Sequence, residues 1–265
     1  MKYLVPLLAI LFFFPSVSHA ALATNLVSYW ALDEASGTAA DSVGSNTLTN
    51  NNTVPFGSGK INNGASTTPT GSKYFSITDA SQSGLDITGD ITMAGWVRFV
   101  ARPTGFNYMV FMGKFDASGT WAYGMLLEDV AGDGSSQSLN MMTSSTGSNQ
   151  DQGKVTVGTI NNGTYYHFAA TKSGSTYTAY LNGVSIGTDT VYATVPNTTA
   201  KFELGAWNGA GNISNAQLDE WGIWSRALTG TEITTLYNAG AGCAYPFTTC
   251  EGGPPAITSD IILFE

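Results

Sequence analysis

The chain has 265 residues, of which 11% are charged and 43% are hydrophobic, and its formal net charge is −9 at pH 7. The acidic balance argues against nucleic acid as a partner, because a negative surface repels a polyanion. The low charge and the abundance of Gly, Ser, Thr and Asn suit turns and strands better than helices, so the composition predicts an all-β fold. A chain of this length can bury one core as a single domain.

The first twenty residues have the layout of a signal peptide. Lys2 gives a positive start, residues 4–14 form an apolar stretch, and Ser18-His19-Ala20 supplies the small residues that a signal peptidase recognises. The apolar stretch is shorter than the roughly 20 residues of a membrane-spanning helix. We therefore predict a secreted, periplasmic or surface-associated protein without a membrane span. Cleavage before Ala21 is the preferred prediction, and cleavage before Thr24 is the alternative.

Short runs with period-two alternation recur between clusters of turn residues. In one of them, Met93 and Val97 share one face while Trp96 shares the other with Arg98. The predicted strands span residues 74–77, 91–99, 108–112, 123–127, 137–142, 154–157, 165–170, 176–181, 184–188 and 201–206. Many short strands at regular spacing predict a sandwich or a barrel. Asn182-Gly183 stands between two of these runs and predicts a tight hairpin turn.

One helix is predicted near the end of the chain. Thr229-Gly230-Thr231-Glu232 has the spacing of a capping box, in which each side chain bonds the other residue's backbone N–H. Ile233, Leu236 and Tyr237 then form an apolar stripe. Gly240 is predicted to end the helix, because a residue without Cβ adopts the left-handed cap conformation easily.

Residues 242–265 are predicted as a tail outside the core, because the composition changes there to Gly, Pro and Thr. Cys243 and Cys250 lie close together in it, and the oxidising compartment of an exported protein favours a local disulfide. A metal or redox pair is the alternative, but it would need closer spacing or a nearby His. The apolar run 257–264 is predicted to dock as an edge strand or to pair with another protein chain, with a frayed terminus as the alternative.

Four segments of the chain are informative through their order and spacing. They are Tyr29-Trp30-Ala31-Leu32-Asp33-Glu34, Ile91-Thr92-Met93-Ala94-Gly95-Trp96-Val97, Gly163-Thr164-Tyr165-Tyr166-His167-Phe168 with its following hairpin, and Leu218-Asp219-Glu220-Trp221-Gly222-Ile223-Trp224. Together they resemble the laminin-G-like domains of the concanavalin A-like lectin and glucanase superfamily, although Tyr165 stands where the family more often has Trp. The resemblance implies an antiparallel two-sheet jelly-roll sandwich with one short C-terminal helix, formed by residues 21–241. It also implies that the first strand lies near the late strand that carries Asp219.

The same resemblance implies a metal site. Several family members hold calcium where the first and late strands meet, and Asp33, Glu34, Asp41 and Asp219 fall in those two segments. Calcium binds carboxylate and carbonyl oxygens, which residues 41–46 could complete. A structural Ca²⁺ is therefore expected, and the alternative is that Asp33 and Asp41 form turns by bonding nearby backbone N–H groups.

The sequence patterns of catalysis do not fit. Residues 183–187 match the G-x-S-x-G string, but they continue a hairpin instead of joining a strand to a helix. His167 also precedes Ser185, whereas that class of hydrolases places its His last. The strand with paired acids that glycosidases of this fold carry is absent from the sequence. We therefore predict a protein without catalytic residues, with His167 as a hydrogen-bonded structural residue.

Two tryptophans stand beside loops with polar neighbours. Trp121 with Tyr123, and Trp207 with Asn208, are predicted to form a ligand surface, because sugar C–H faces stack on aromatic rings while amides bond the hydroxyls. Packing at the rim of the fold is the alternative. The other tryptophans lie in the family segments and are predicted to pack in the core: Trp30, Trp96, Trp221 and Trp224.

The leading functional hypothesis is a secreted recognition module that binds a glycan or a glycosylated surface, with calcium stabilising the sandwich. A structural or adhesion protein of an envelope or virion, in which the sandwich is a spacer, is the first alternative. A polysaccharide-active enzyme is the second. The fold is compatible with all three classes, so the sites must decide.

Overall fold

The computed structural model describes residues 19–250 except 106, 117–118, 210–211 and 249. The predicted signal peptide, apart from its last two residues, and the apolar run 257–264 lie outside the described residues. Within the described ranges, no helix is long and apolar enough to cross a membrane.

The described residues form fifteen strands and two α-helices. The strands are β1 (Leu26–Trp30), β2 (Thr49–Asn51), β3 (Phe56–Ser58), β4 (Asn63–Thr67), β5 (Tyr74–Ile77), β6 (Ile91–Phe99), β7 (Tyr108–Phe115), β8 (Trp121–Asp129), β9 (Gln137–Thr143), β10 (Asp151–Gly158), β11 (Tyr165–Ser173), β12 (Thr176–Leu181), β13 (Val184–Thr190), β14 (Phe202–Leu204) and β15 (Ala216–Trp224). The helices are α1 (His19–Ala23) and α2 (Gly230–Tyr237).

The strands pair antiparallel in two sheets. The first sheet has the order β13-β12-β11-β6-β15-β4-β3, and β1 also pairs with β15. The second sheet has the order β10-β9-β8-β7-β14-β5-β2. The predicted fold class, a two-sheet jelly-roll sandwich with one short C-terminal helix, is confirmed.

The main core lies between the two sheets and is built from alternate strand residues. Met93 and Val97 of β6 point into it, as the alternation predicts, and Met125 and Leu127 of β8 meet them from the second sheet. Ile91–Phe99 is a strand with the predicted bounds. The period of two therefore assigned this inward face correctly.

The ends of two elements differ from the prediction. The predicted strand 201–206 is reduced to Phe202–Leu204, because Gly205 turns the chain at a φ of 85°. Helix α2 has the predicted capping box at Thr229 and Glu232. It ends at Tyr237, however, because Asn238 already takes the left-handed cap conformation, with a φ of 49°, before Gly240 is reached.

A second apolar cluster covers the outer face of the first sheet. Tyr29 and Trp224 are buried there beneath α2 and residues 242–248, and the ring of Phe247 packs edge-on against Tyr29 at 5.6 Å. The predicted disulfide joins Cys243 to Cys250. This part of the predicted tail is therefore not outside the core, since it shields a large aromatic surface from water.

Residues 21–24 are attached to the end of β15. Leu22 is buried, and its carbonyl accepts a 2.7 Å hydrogen bond from the indole N–H of Trp224. The guanidinium of Arg226 donates to the carbonyls of Ala21 and Thr24. Cleavage before Ala21 would keep these contacts, whereas cleavage before Thr24 would remove Leu22 from the cluster.

A glycine of β6 makes room for the largest side chain of the core. A Cβ on Gly95 would lie 2.3 Å from the ring of Trp221, so we expect Gly95→Ala to destabilise the protein by about 1–3 kcal/mol through overpacking. Urea unfolding measures this change. Gly57→Ala on β3 is the matched control, because its Cβ meets open space, and it should change stability by less than about 0.5 kcal/mol. Equal stability of the two variants would contradict the expected contact.

Candidate functional site

Aromatic side chains gather on the outer face of the second sheet. The rings of Trp121 and Trp207 lie 4.3 Å apart between centroids, with their planes at 84°. Trp207 also packs against Tyr108 at 5.2 Å and Phe115 at 5.6 Å. We call these four residues the aromatic cluster. The two predicted tryptophans are thus brought together from the start of β8 and from the turn after β14, and both stay partly exposed.

The floor beneath the aromatic cluster is apolar. Val110 of β7, Leu126 of β8 and Met142 of β9 are buried on this side of the sheet. Each alternates with a residue of the main core, as Leu126 does between Met125 and Leu127. The strands therefore hold the cluster on a rigid base.

The turn that carries Trp207 is fixed by a buried carboxylate. Glu203 of β14 accepts a hydrogen bond from the backbone N–H of Gly209 at 3.2 Å and pairs with Lys201 at 2.5 Å. Burial raises the pKa of the Glu203 carboxyl. The predicted ligand residue Asn208 lies in this turn, partly exposed and with a φ of 64°. Glu203 thereby positions both Trp207 and Asn208.

Tyr123 is placed differently from its predicted partners. Its side chain is buried in the main core, where the hydroxyl donates a 2.7 Å hydrogen bond to the Leu85 carbonyl, and burial raises its pKa. The burial of Tyr123 results from a register shift between β7 and β8. Trp121 pairs with Phe115 while Tyr123 pairs with Lys114, so Ala122 is the extra residue of a bulge. The bulge sends Trp121 and Tyr123 to opposite faces, although a regular strand would keep them on one.

A row of polar side chains continues from the aromatic cluster. Nδ2 of Asn140 and Nζ of Lys154 each donate to Oε2 of Glu128 at 2.6 Å, and the Ser138 hydroxyl donates to Oδ1 of Asn140 at 2.7 Å. We call these four residues the polar row. Tyr108 pairs directly with Glu128 across β7 and β8, so the row and the cluster are neighbours.

Sequence reasoning did not find the polar row as a site. The only available signal was the alternation of polar and apolar residues in β9, where Ser138 and Asn140 alternate with Leu139 and Met141. Alternation identifies an outward face, but it cannot show which strand lies beside β9. The row exists because the register brings Glu128 and Lys154 to either side of that strand.

Two of the predicted metal ligands approach each other at the turn between β3 and β4. Oδ2 of Asp219 accepts the backbone N–H groups of Lys60 and Ile61 at 2.5 and 3.0 Å. The Asp33 carboxylate accepts from Asn63 N–H and the Asn62 side chain, each at 3.0 Å. Burial raises the pKa of Asp219 to about 8, and the charges of Glu220 and Asp33 also act to raise it.

The other two predicted ligands are engaged in turns. The Asp41 carboxylate accepts the backbone N–H groups of Tyr29, Val43 and Asn46, each at 3.0 Å. Oε1 of Glu34 accepts the N–H of Ala40 at 2.7 Å. In the described part of the chain, no group of three or more His, Cys, Asp and Glu is arranged to hold a metal. The calcium site stays a prediction.

Glu220 is a buried acid that sequence reasoning missed. It has a φ of 53° at a bulge of β15, and Oε2 accepts a 2.5 Å hydrogen bond from the Tyr29 hydroxyl. Burial raises the pKa of Glu220 to about 7. With Tyr29, Trp96 and His167 it lines a cavity of about 10 Å³, roughly the space of one water molecule.

His167 is buried, but its Nδ1 has no hydrogen-bond partner among the described residues, so the predicted hydrogen bond of this ring nitrogen is absent there. Its ring lies 5.2 Å from Trp96 and 6.3 Å from Tyr237 between centroids. Burial lowers the pKa of His167 to about 3, so the imidazole is neutral at physiological pH.

The two buried acids make stability depend on pH. Asp219 and Glu220 keep their protons to higher pH in the folded protein than in the unfolded chain, with folded pKa values of about 8 and about 7. Between the ordinary carboxyl range and these values the folded state binds more protons, so the free energy of unfolding falls as the pH rises. In the presence of a chelator, the urea midpoint should therefore be lower at about pH 8.5 than at about pH 5.5.

Glu220→Gln should reduce this pH dependence, because the amide oxygen still accepts from Tyr29 but no longer titrates. Asp151→Asn is the control and should leave the slope unchanged. The opposite result would be a urea midpoint that rises with pH in the parent protein and loses this rise in Glu220→Gln. That result would contradict the expected direction.

The two antiparallel sheets, with the aromatic cluster on one outer face, define a lectin-like β-sandwich. A laminin-G family model with the description "Concanavalin A-like lectin/glucanases superfamily" matches residues 69–234, which is more than half of the chain. The chain therefore belongs to the concanavalin A-like lectin/glucanases superfamily. A comparison with curated proteins found no match.

Solved structures share the fold at low sequence identity. The binding domain of Paraclostridial Mosquitocidal Protein 1 is 17% identical with a TM-score of 0.65, and the match covers 83% of this chain and 53% of that one. Domain 4 of AbnA, a GH43 extracellular arabinanase from Geobacillus stearothermophilus in complex with arabinotriose, is 21% identical with a TM-score of 0.59, covering 79% and 97%.

Trypanosoma rangeli sialidase is 15% identical with a TM-score of 0.58, and the match covers 81% of this chain and 32% of the enzyme. The chain thus spans about half of the mosquitocidal binding domain and about a third of the sialidase. These similarities show the fold alone.

Proposed function

We propose that the protein is an exported, non-catalytic recognition module that binds carbohydrate on the outer face of its second sheet. The observation that carries the proposal is that two partly exposed tryptophans, Trp121 and Trp207, pack together on the face that also carries the polar row. Aromatic faces stack on the C–H faces of sugars, and a few fixed polar groups give orientation and specificity. Both kinds of group lie on neighbouring strands of one sheet.

The comparisons support this class of function. Domain 4 of AbnA was solved with arabinotriose, and the mosquitocidal structure is a binding domain. Both share the sandwich with this chain, so the fold is one that other proteins use for binding. The sugar itself must come from the residues of the face, since similarity at this level of identity transfers no ligand.

Export is supported by two features of the chain. Residues 1–20 have the signal-peptide pattern, and Cys243 forms a disulfide with Cys250. Disulfides persist in oxidising compartments and are rare in the cytosol. A carbohydrate-binding module in that location would meet polysaccharides or glycosylated surfaces directly.

Removal of either exposed tryptophan should abolish most of the binding. We expect Trp121→Ala and Trp207→Ala to weaken the affinity for any glycan that the parent protein binds on an array by at least about 10-fold, or about 1.4 kcal/mol. Isothermal titration calorimetry measures the loss, and the melting temperature verifies folding. The protein should release no reducing ends when it is incubated with polysaccharides that contain the bound glycan.

Tyr165→Ala is the matched control for the tryptophan variants. Tyr165 is also a partly exposed aromatic residue, but it lies on β11 of the first sheet. Its removal should leave the affinity unchanged. Glycan binding that survives both tryptophan substitutions, or the lack of any sugar-dependent signal from the folded parent protein, would refute the proposed site.

We further propose that calcium stabilises the junction of β1 and β15, with Asp33, Glu34, Asp41 and Asp219 as candidate ligands. Support comes from Oδ1 of Asp219 and Oε2 of Glu34, which are buried and have no hydrogen-bond partner among the described residues. Unpaired buried carboxylate oxygens favour a bound cation. The ion would supply positive charge between the two acidic segments.

A chelator should then lower the melting temperature, because the carboxylates would repel one another without the ion. Calorimetry with EDTA and with added calcium measures the difference, and elemental analysis identifies the metal. Asp33→Asn should remove the calcium-dependent gain, whereas Asp133→Asn, on an exposed loop, should not. Identical melting in both conditions, with no metal detected, would eliminate the site.

A further inference from the structure

The charged side chains of the outer face occur as opposite pairs. Lys154 pairs with Glu128 at 2.6 Å, and Lys201 pairs with Glu203 at 2.5 Å. A sugar with a carboxylate would need a positive charge that is not already balanced, and the charge of each of these two lysines is balanced by a glutamate. The formal net charge of −9 adds long-range repulsion against an acidic ligand.

The aromatic cluster is not a flat platform. The planes of Trp121 and Trp207 stand at 84°, so the two rings form a corner that can hold one sugar unit against two walls. Binding to the flat surface of a crystalline polysaccharide would need aromatic rings that lie in one plane. The corner therefore favours a single, separate glycan chain.

The Trp121–Trp207 corner and the polar row lie at different positions along β8. Glu128 follows Trp121 by seven residues, so their backbone positions are about 20 Å apart along the strand. Tyr108 of the aromatic cluster pairs with Glu128 and therefore lies beside the row. A ligand that touches both the corner and Glu128 must extend beyond a single sugar unit.

Within the row, Glu128 and Lys154 are suited to contact the ligand. Asn140 is fully buried, and its amide fixes the Glu128 carboxylate, so it is a positioning residue. The bonds from Asn140 and Lys154 both end on Oε2 of Glu128, which leaves Oε1 for a sugar hydroxyl. The Lys154 side chain is 44% exposed and can donate to another hydroxyl.

We propose that the outer face binds an uncharged oligosaccharide that extends along β8, with one sugar in the Trp121–Trp207 corner and the following sugars at the polar row. This inference rests on the proposed carbohydrate-binding function and narrows its ligand to neutral glycan chains.

The test compares neutral with acidic trisaccharides by titration calorimetry at low and at high salt. The neutral probes are arabinotriose, xylotriose, cellotriose and maltotriose, and the acidic probes are trigalacturonic acid and sialyllactose. We expect binding of at least one neutral probe, with an affinity that changes less than about twofold with salt, because no net charge is neutralised. The corresponding monosaccharide should bind at least about tenfold more weakly, since it cannot reach both the corner and the row.

Variants of the polar row separate this inference from a simple aromatic site. Glu128→Gln and Lys154→Met should each weaken neutral trisaccharide binding about threefold to tenfold, without changing monosaccharide binding. Lys60→Met, on the first sheet, is the control and should have no effect. The melting temperature of each variant shows that it is folded.

Three results would overturn the inference. Trp121-dependent binding of an acidic probe that strengthens at low salt would contradict the neutral ligand while leaving the proposed function intact. Equal affinity for a monosaccharide and its trisaccharide would contradict a ligand that spans both the corner and the polar row. It would also leave the proposed function intact. Failure of every probe, neutral or acidic, would overturn the proposed function together with this inference.

Discussion

The fold depends on a change of partner along strand β15. One edge of β15 bonds to β6, while the other edge bonds to β4 at Ala216 to Leu218 and then to β1 at Trp221 to Trp224. A bulge at Glu220, with a φ of 53°, marks the change. Because the bulge alters the side-chain alternation, Trp221 turns into the main core against Gly95, while the carboxyl of Glu220 meets the Tyr29 hydroxyl. A non-glycine residue in this conformation persists only where surrounding contacts determine it.

A second bulge has the same effect on the candidate binding face. The extra residue Ala122 sends Trp121 outward to Trp207 and leaves Tyr123 in the core. In each sheet a bulge therefore places an aromatic ring where regular alternation would not. Bulges are local in sequence but are specified by the partner strand, since they exist only relative to a register.

The sequence predicted the parts of the fold that follow from local pattern. The inward face of β6 and the capping box at Thr229 depend on spacing within one element, and both are as predicted. Trp121 and Trp207 were also chosen from local context, and the structure brings them together. Tyr123 went to the other face, and Glu220 and the polar row were missed, because these depend on pairing between strands far apart in the chain. Asp33 and Asp41 were grouped by family resemblance, but their carboxylates bond different turns.

The two outer faces of the sandwich are covered differently. On the first sheet, α2 and Phe247 cover Tyr29 and Trp224, so that face contributes buried apolar area. On the second sheet, Trp121 and Trp207 remain partly exposed above a buried floor, and the charges beside them are neutralised in place. Partly exposed aromatic surface costs free energy in water, and the proposed stacking of a sugar would remove part of that surface from water. Because the floor residues and Glu203 hold the rings in position before binding, little conformational entropy would be lost when a sugar stacks on them.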